Sequence, residues 1–168
     1  MCKYTMYKKE FDKLFEMLER TKLKKRCQKN NNNRRGFDDH YGGLFGVVKP
    51  RYKSGGKQLS RDSRDHPDIY QEILRIGKLV CEAPFSTIQL NKDLQCKAHR
   101  DSHNQNMSTV IAFGPFEGGE LCIQENETSE NFKVYSTKFQ PIQFDGSSLT
   151  HYNLPHIGRK YSLVFFTC

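Results

Sequence analysis

From residue 85 to the C-terminus the chain reads almost entirely as strand and turn. Runs rich in β-branched and aromatic residues recur over 85–91, 107–113, 120–124, 132–137, 142–144 and 161–167. Gly118-Gly119 and Asp145-Gly146 mark turns between them, and short pairing is expected around His99 and His151. Two helical segments come first. Phe11, Leu14, Phe15 and Leu18 recur at i, i+3, i+4 and i+7, which predicts a helix from residue 7 to about residue 25. His66-Pro67-Asp68 opens a second helix reaching about Val80, with Ile69, Ile73, Ile76 and Leu79 as its buried stripe. Two helices ahead of about eight short strands predict an α+β, mainly β fold, a sandwich or jelly roll with the helices on one outer face. Of the rest of the N-terminal half, 43–48 reads as a strand stopped before Pro50. The stretches 30–36 and 51–64 read as polar, basic surface loops. The expectation is one domain over 1–168, with helical support and basic loops over 1–84 and a β core over 85–168.

The strand at 85–91 alternates. Ile88 and Leu90 share one face, and Thr87, Gln89 and Asn91 share the other. The polar face either lines a cavity or is solvated.

At 168 residues the chain is long enough to bury a core, and 36% of its residues are hydrophobic. No apolar run approaches the roughly 20 residues of a membrane span. Met1-Cys2-Lys3-Tyr4 lacks the apolar stretch of a secretory signal, so an intracellular protein, nuclear or cytoplasmic and not secreted, is expected. The six cysteines are scattered with no C-x-x-C pair, which favours reduced thiols over disulfides or a zinc site. A formal charge of +8 suggests a polyanionic partner, nucleic acid being the commonest. No membrane partner is expected, and the protein is expected to be a monomer.

The chemistry concentrates in Ala98-His99-Arg100-Asp101-Ser102-His103-Asn104. On an extended segment residues i and i+2 face the same way, so the imidazole of His99 and the carboxylate of Asp101 can close on one metal ion. A third ligand is needed, and His151 stands a short step before the last strand. Two histidines and a carboxylate with positions left open form a donor set that suits Fe(II). His156 competes with His151 for the distal position, and His103 lies on the far side of the H-x-D. His40 and His66 read as ordinary loop residues.

These residues resemble the Fe(II)/2-oxoglutarate dioxygenases, and more narrowly the TET and base-J-binding-protein branch that oxidises methyl groups of DNA pyrimidines. The likeness lies in Ala98-His99-Arg100-Asp101-x-His103-Asn104 followed by Ser108-Thr109-Val110, in Gly118-Gly119-Glu120-Leu121, in the His151-Tyr152-Asn153-x-Pro155 order, and in Lys160-Tyr161-Ser162-Leu163-Val164. It covers residues 85 to 168. It implies a double-stranded β-helix in which His99, Asp101 and His151 bind Fe(II) and leave room for 2-oxoglutarate and O2. The family's arginine for the distal carboxylate of 2-oxoglutarate falls on Lys160, a departure, with Ser162 completing that motif and Gln89 and Asn91 lining the same cavity. Strand parity sets Lys160 with Ser162 and turns Arg159 the other way. Asn104, with Arg100 and His103, falls where the family touches its substrate, here methylated DNA with the target base flipped out. The alternatives are hydroxylation of a prolyl or other protein side chain by the same chemistry, and a non-catalytic nucleic-acid-binding module.

Overall fold

The computed structural model describes residues 7–26, 40–49 and 56–168. The expected loop at 30–36 and residues 51–55 of the expected loop at 51–64 lie outside the described residues. A 3-10 turn, Lys9–Phe11, leads into α1, Asp12–Glu19. Then follow β1 (Lys24–Arg26), β2 (His40–Val48), β3 (Gln58–Leu59), α2 (Arg61–Asp65) and α3 (Pro67–Val80). Nine further strands complete the chain: β4 (Thr87–Lys92), β5 (Gln105–Phe113), β6 (Phe116–Gly118), β7 (Leu121–Gln124), β8 (Phe132–Tyr135), β9 (Ile142–Phe144), β10 (His151–Asn153), β11 (His156–Gly158) and β12 (Tyr161–Thr167).

The strands form two layers. The larger antiparallel sheet runs β1-β2-β4-β12-β5-β9, with β3 also pairing with β2. The smaller runs β10-β7-β8, and β6 pairs with β11 as a separate ribbon. The faces of the larger sheet follow from pleat and register. Opposed residues Leu90, Leu163 and Ile111 share one face, and so do Phe45, Ile88 and Phe165. That face packs on Phe11, Leu14 and Leu18 before and within α1 and on Ile69, Ile73, Ile76 and Val80 of α3. Tyr161 stacks on Phe113 at 5.4 Å, and Phe113 meets Phe11 at 4.7 Å. The glycine at 77 sets how closely α3 can lie: a Cβ there would come within 2.4 Å of the Phe85 ring and 2.7 Å of Phe165. The opposite face of the larger sheet carries Val110, Ile142 and Phe144, which pack with Leu121 and Ile123 of the smaller sheet. Gln89 and Asn91 lie on this inner face and are buried.

Several sequence expectations are corrected. The first helix stops at Glu19, where the Thr21 hydroxyl donates to the Met17 carbonyl, and Lys24–Arg26 is a strand paired with His40–Gly42. The N-terminal half is therefore more than support, since β2 lies beside β4 in the larger sheet. His40 is a buried strand residue, not a loop residue. Leu79 is 48% exposed, and the fourth member of the α3 stripe is Val80, because 69, 73, 76 and 80 follow the helical repeat and 79 falls beside it. The expected loop at 51–64 contains β3 and the start of α2, whose N-cap is Ser60, its hydroxyl accepting from Ser63 N–H at 3.2 Å. α2 meets N–H groups of β2 that face away from β4: Asp62 Oδ2 accepts from Leu44 N–H at 2.8 Å and Ser63 Oγ from Gly46 N–H at 2.8 Å. Gly118, expected in a turn, faces His156 in the β6–β11 ribbon, whose three-residue strands are too short to show an alternating pattern. Among the described residues no helix is long and apolar enough to cross a membrane.

The α3 stripe makes a stability prediction. Ile73→Ala leaves a cavity at a fully buried position and should cost about 2–5 kcal/mol. Leu79→Ala should stay within about 0.5 kcal/mol. Urea denaturation midpoints of the two variants check this, and equal losses would contradict the packing described.

Candidate metal centre and its surroundings

The smaller sheet is extended past β10 by an isolated antiparallel bridge between His99 and His151. The backbone bonds are reciprocal: His99 N–H donates to His151 C=O at 3.1 Å, and His151 N–H to His99 C=O at 3.0 Å. Directly paired residues point to one side of a sheet, so the two imidazoles come together, ring centroids 4.3 Å apart. Asp101, two residues on, faces them. Its Oδ1 lies 3.5 Å from His99 Nε2 and its Oδ2 3.3 Å from His151 Nε2. One ligand atom from each residue lies within 4.8 Å of the others, and no other such cluster of His, Cys, Asp and Glu occurs among the described residues.

Both rings are oriented in the same way. His99 Nδ1 sits 2.7 Å from the Lys97 carbonyl, and His151 Nδ1 sits 2.9 Å from the Leu149 carbonyl. A carbonyl only accepts, so each Nδ1 carries the proton, and each Nε2 presents a lone pair to a metal. Phe144 covers His151 edge-on at 4.9 Å. The Gly146 carbonyl accepts from Asp101 N–H at 2.8 Å. Burial works to raise the pKa of Asp101, but hydrogen bonds and charge from His151 and His99, whenever their Nε2 atoms carry protons, outweigh it and hold the carboxyl well below the usual carboxylate range; a bound cation would take the place of those protons. An anionic carboxylate beside two imidazole nitrogens is the ionisation state that a divalent metal needs. The residues present therefore fit Fe(II).

The other predicted site residues separate by place. His156 does not join the cluster: its Nε2 stands 3.5 Å from Asp93 Oδ1. His103 is exposed on the turn after Asp101 and is outside the cluster. Lys160 is 4% exposed, and its ammonium donates to the Gly119 carbonyl at 2.9 Å. Burial lowers its pKa, with Cys96 and Glu120 acting in the opposite direction. Arg159 points outward to an ion pair with Glu19 and lies over the Phe15 ring at 5.8 Å. Ser162 opposes Asn91 across the β4–β12 ladder, and the Asn91 amide donates to the Ser162 hydroxyl at 3.4 Å. The Gln89 amide donates to the Gly43 and Leu90 carbonyls at 3.1 and 3.0 Å, which leaves its buried Oε1 without a hydrogen-bond partner. Asn104 donates backbone N–H to the Asp101 carbonyl at 3.0 Å and side-chain amide to Ser108 at 3.4 Å. Arg100, between two ligands and of opposite parity, braces Thr150 at 3.1 Å and Gln124 at 3.3 Å.

Two features were not anticipated. One is the pair of carbonyls that orient the histidines; each belongs to the residue two before its histidine, a spacing visible in sequence only once the histidines are known to be ligands. The other is that Lys24, Arg26 and Arg61, part of the basic content that suggested a polyanionic partner, form ion pairs with Asp62 or Asp65.

No protein-family model and no curated protein matches the sequence. Solved structures do match. An oxidoreductase of the 2OG-Fe(II) oxygenase family from Burkholderia pseudomallei aligns with a TM-score of 0.61 at 17% identity, over 92% of this chain and 76% of its own. NgTET1 in complex with 5mC DNA aligns at 0.54 and 14% identity, over 98% of this chain and 67% of its own. A Pseudomonas putida prolyl-4-hydroxylase also aligns at 0.54, with 11% identity, over 97% of this chain and 86% of its own. The last two scores are equal, so the fold does not choose between a DNA and a protein substrate. What it does establish is the architecture: a mainly β, α+β protein with N-terminal helices, matching the double-stranded β-helix of 2OG-Fe(II) oxygenases.

Proposed function

We propose that this protein is an Fe(II)- and 2-oxoglutarate-dependent dioxygenase that oxidises the methyl group of 5-methylcytosine, or of thymine, in DNA. The observation that carries the enzymatic reading is the convergence of His99 Nε2, His151 Nε2 and the Asp101 carboxylate, their proton positions set by two backbone carbonyls. Iron bound there, with 2-oxoglutarate and O2, supplies the oxidising power for an inert C–H bond. The chain's own residues supply holding, orientation and exclusion of water. His99, Asp101 and His151 would hold the metal. Lys160, at the edge of the inner face, offers a buried point charge to the distal carboxylate of 2-oxoglutarate, for which it exchanges the Gly119 carbonyl. Ser162, Asn91 and Gln89 add polar groups along the same face.

The DNA reading is supported by the sequence likeness to the TET and base-J branch around Asp101 and by the charge of +8. Asn104 follows Asp101 by three residues, where an amide both donates to and accepts from a base edge. Arg100 and His103 precede it in the same segment. A base methyl inside a duplex cannot reach such a site, so the target nucleotide is flipped out.

Incubation with Fe(II), 2-oxoglutarate and methylated DNA, followed by digestion and nucleoside mass spectrometry, should yield 5-hydroxymethylcytosine or 5-hydroxymethyluracil. Asn104→Ala should suppress that product while sparing metal binding. Peptide hydroxylation with no oxidised nucleoside would move the substrate to protein. DNA binding without any succinate would leave a non-catalytic module.

His99→Ala, Asp101→Ala and His151→Ala should each abolish Fe(II)-dependent conversion of 2-oxoglutarate to succinate, and His156→Ala should retain it. Lys160→Ala should raise the KM for 2-oxoglutarate about 10- to 100-fold, the loss of a charged hydrogen bond of roughly 1.5–3 kcal/mol. Arg159→Ala should change it little, and comparable effects from both would place the anchor elsewhere.

A further inference from the structure

The turn between β9 and β10 reaches two of the three ligands at once. Near its start, the Gly146 carbonyl holds the Asp101 backbone N–H at 2.8 Å. Near its end, the Leu149 carbonyl holds His151 Nδ1 at 2.9 Å. The turn backbone lies directly against the ligands, since a Cβ on Gly146 would stand 3.1 Å from Asp101 Oδ2 and 3.5 Å from His151 Cε1. What shapes this turn is one carboxylate. Asp145 Oδ1 accepts from the Ser147 N–H at 3.1 Å, the Ser147 hydroxyl at 2.6 Å and the Ser148 N–H at 3.3 Å. Asp145 Oδ2 accepts from the Ser148 hydroxyl at 2.8 Å, and the Asp145 carbonyl accepts from Leu149 N–H at 3.0 Å. The turn's backbone is thereby tied to its first residue on both its side chain and its main chain.

We infer that Asp145 is a positioning residue of the metal centre, acting through the Gly146 and Leu149 carbonyls on Asp101 and His151. The inference rests on the metal role proposed for His99, Asp101 and His151. Asp145 does not touch the metal position. It sets where two acceptors stand, and those acceptors set the backbone of one ligand and the ring angle and tautomer of another. Partners of this kind change metal affinity by about 10- to 100-fold when removed. The short side chain of Asp or Asn is what makes such a turn, because its oxygen accepts from N–H groups two and three residues on.

The test uses the full chain and Co(II), whose visible d–d absorption reports ligand geometry and whose titration reports affinity. Asp145→Ala should weaken Co(II) binding about 10- to 100-fold and change the shape or intensity of the d–d bands. Asp145→Asn keeps an acceptor oxygen for the Ser147 and Ser148 N–H groups and should restore most of both. A merely structural residue would lower the unfolding midpoint of the apo protein and leave the Co(II) spectrum of the folded fraction unchanged. Should Asp145→Ala not fold, the double variant Ser147→Ala/Ser148→Ala strips both hydroxyl donors and carries the same expected direction. Wild-type affinity and spectrum in Asp145→Ala, or in the double variant where it replaces it, would overturn the inference. A wild-type protein that binds no Co(II) would overturn the metal reading itself, and this inference with it.

Discussion

Two reciprocal backbone hydrogen bonds between His99 and His151 hold the site together. They join a segment just before β5 to the first residue of β10, 52 positions later in the chain. An antiparallel bridge fixes the side-chain direction of both partners as well as their separation. Once the bridge forms, the imidazoles face the same side, and the two-residue spacing to Asp101 brings in the carboxylate without further adjustment. Each imidazole then needs only one acceptor to set its tautomer, and a backbone carbonyl is already within reach. Alternative partners for the metal, such as His156, are kept away by the same β topology, which places that ring beside Asp93.

The larger sheet separates stability from chemistry by its two faces. One face carries Ile88, Leu90, Ile111, Leu163 and Phe165 against the helices, a dry core with no polar side chain among these residues. The other carries Gln89, Asn91 and Ser162 toward the smaller sheet. A polar group buried in this way costs free energy unless it is paired, and Gln89 Oε1 is not. Such a cost is typical of a surface shaped for something other than stability. Lys160 follows the same logic. Its ammonium is buried, donates to the Gly119 carbonyl and lies over the Phe116 ring at 5.7 Å.

Charge is distributed less simply than the net value suggests. Lys24, Arg26 and Arg61 meet Asp62 or Asp65, Arg75 meets Glu10 and Glu72, and Arg159 meets Glu19. Asp62 also accepts from a β2 N–H, so its pairs with Lys24 and Arg26 fasten the β1 edge of the larger sheet. Cations held in this way serve the fold first. The net charge of +8 already subtracts the carboxylates of these pairs, so they localise the charge without reducing the surplus.

Periodicity alone determined the helix stripe through Ile69, Ile73 and Ile76, the alternation of 87–91 and the opposite directions of Arg159 and Lys160, because each depends only on local backbone geometry. The H-x-D spacing likewise placed His99 and Asp101 on one side. Everything that depends on two distant segments was decided by tertiary structure. The resemblance favours His151 over His156, but strand pairing is what puts His151 beside His99. The strand at Lys24–Arg26 has no pattern of its own and exists because β2 lies beside it. The carbonyls of Lys97, Gly146 and Leu149 are invisible in sequence, since every residue has a carbonyl and only the fold decides which of them faces a ligand.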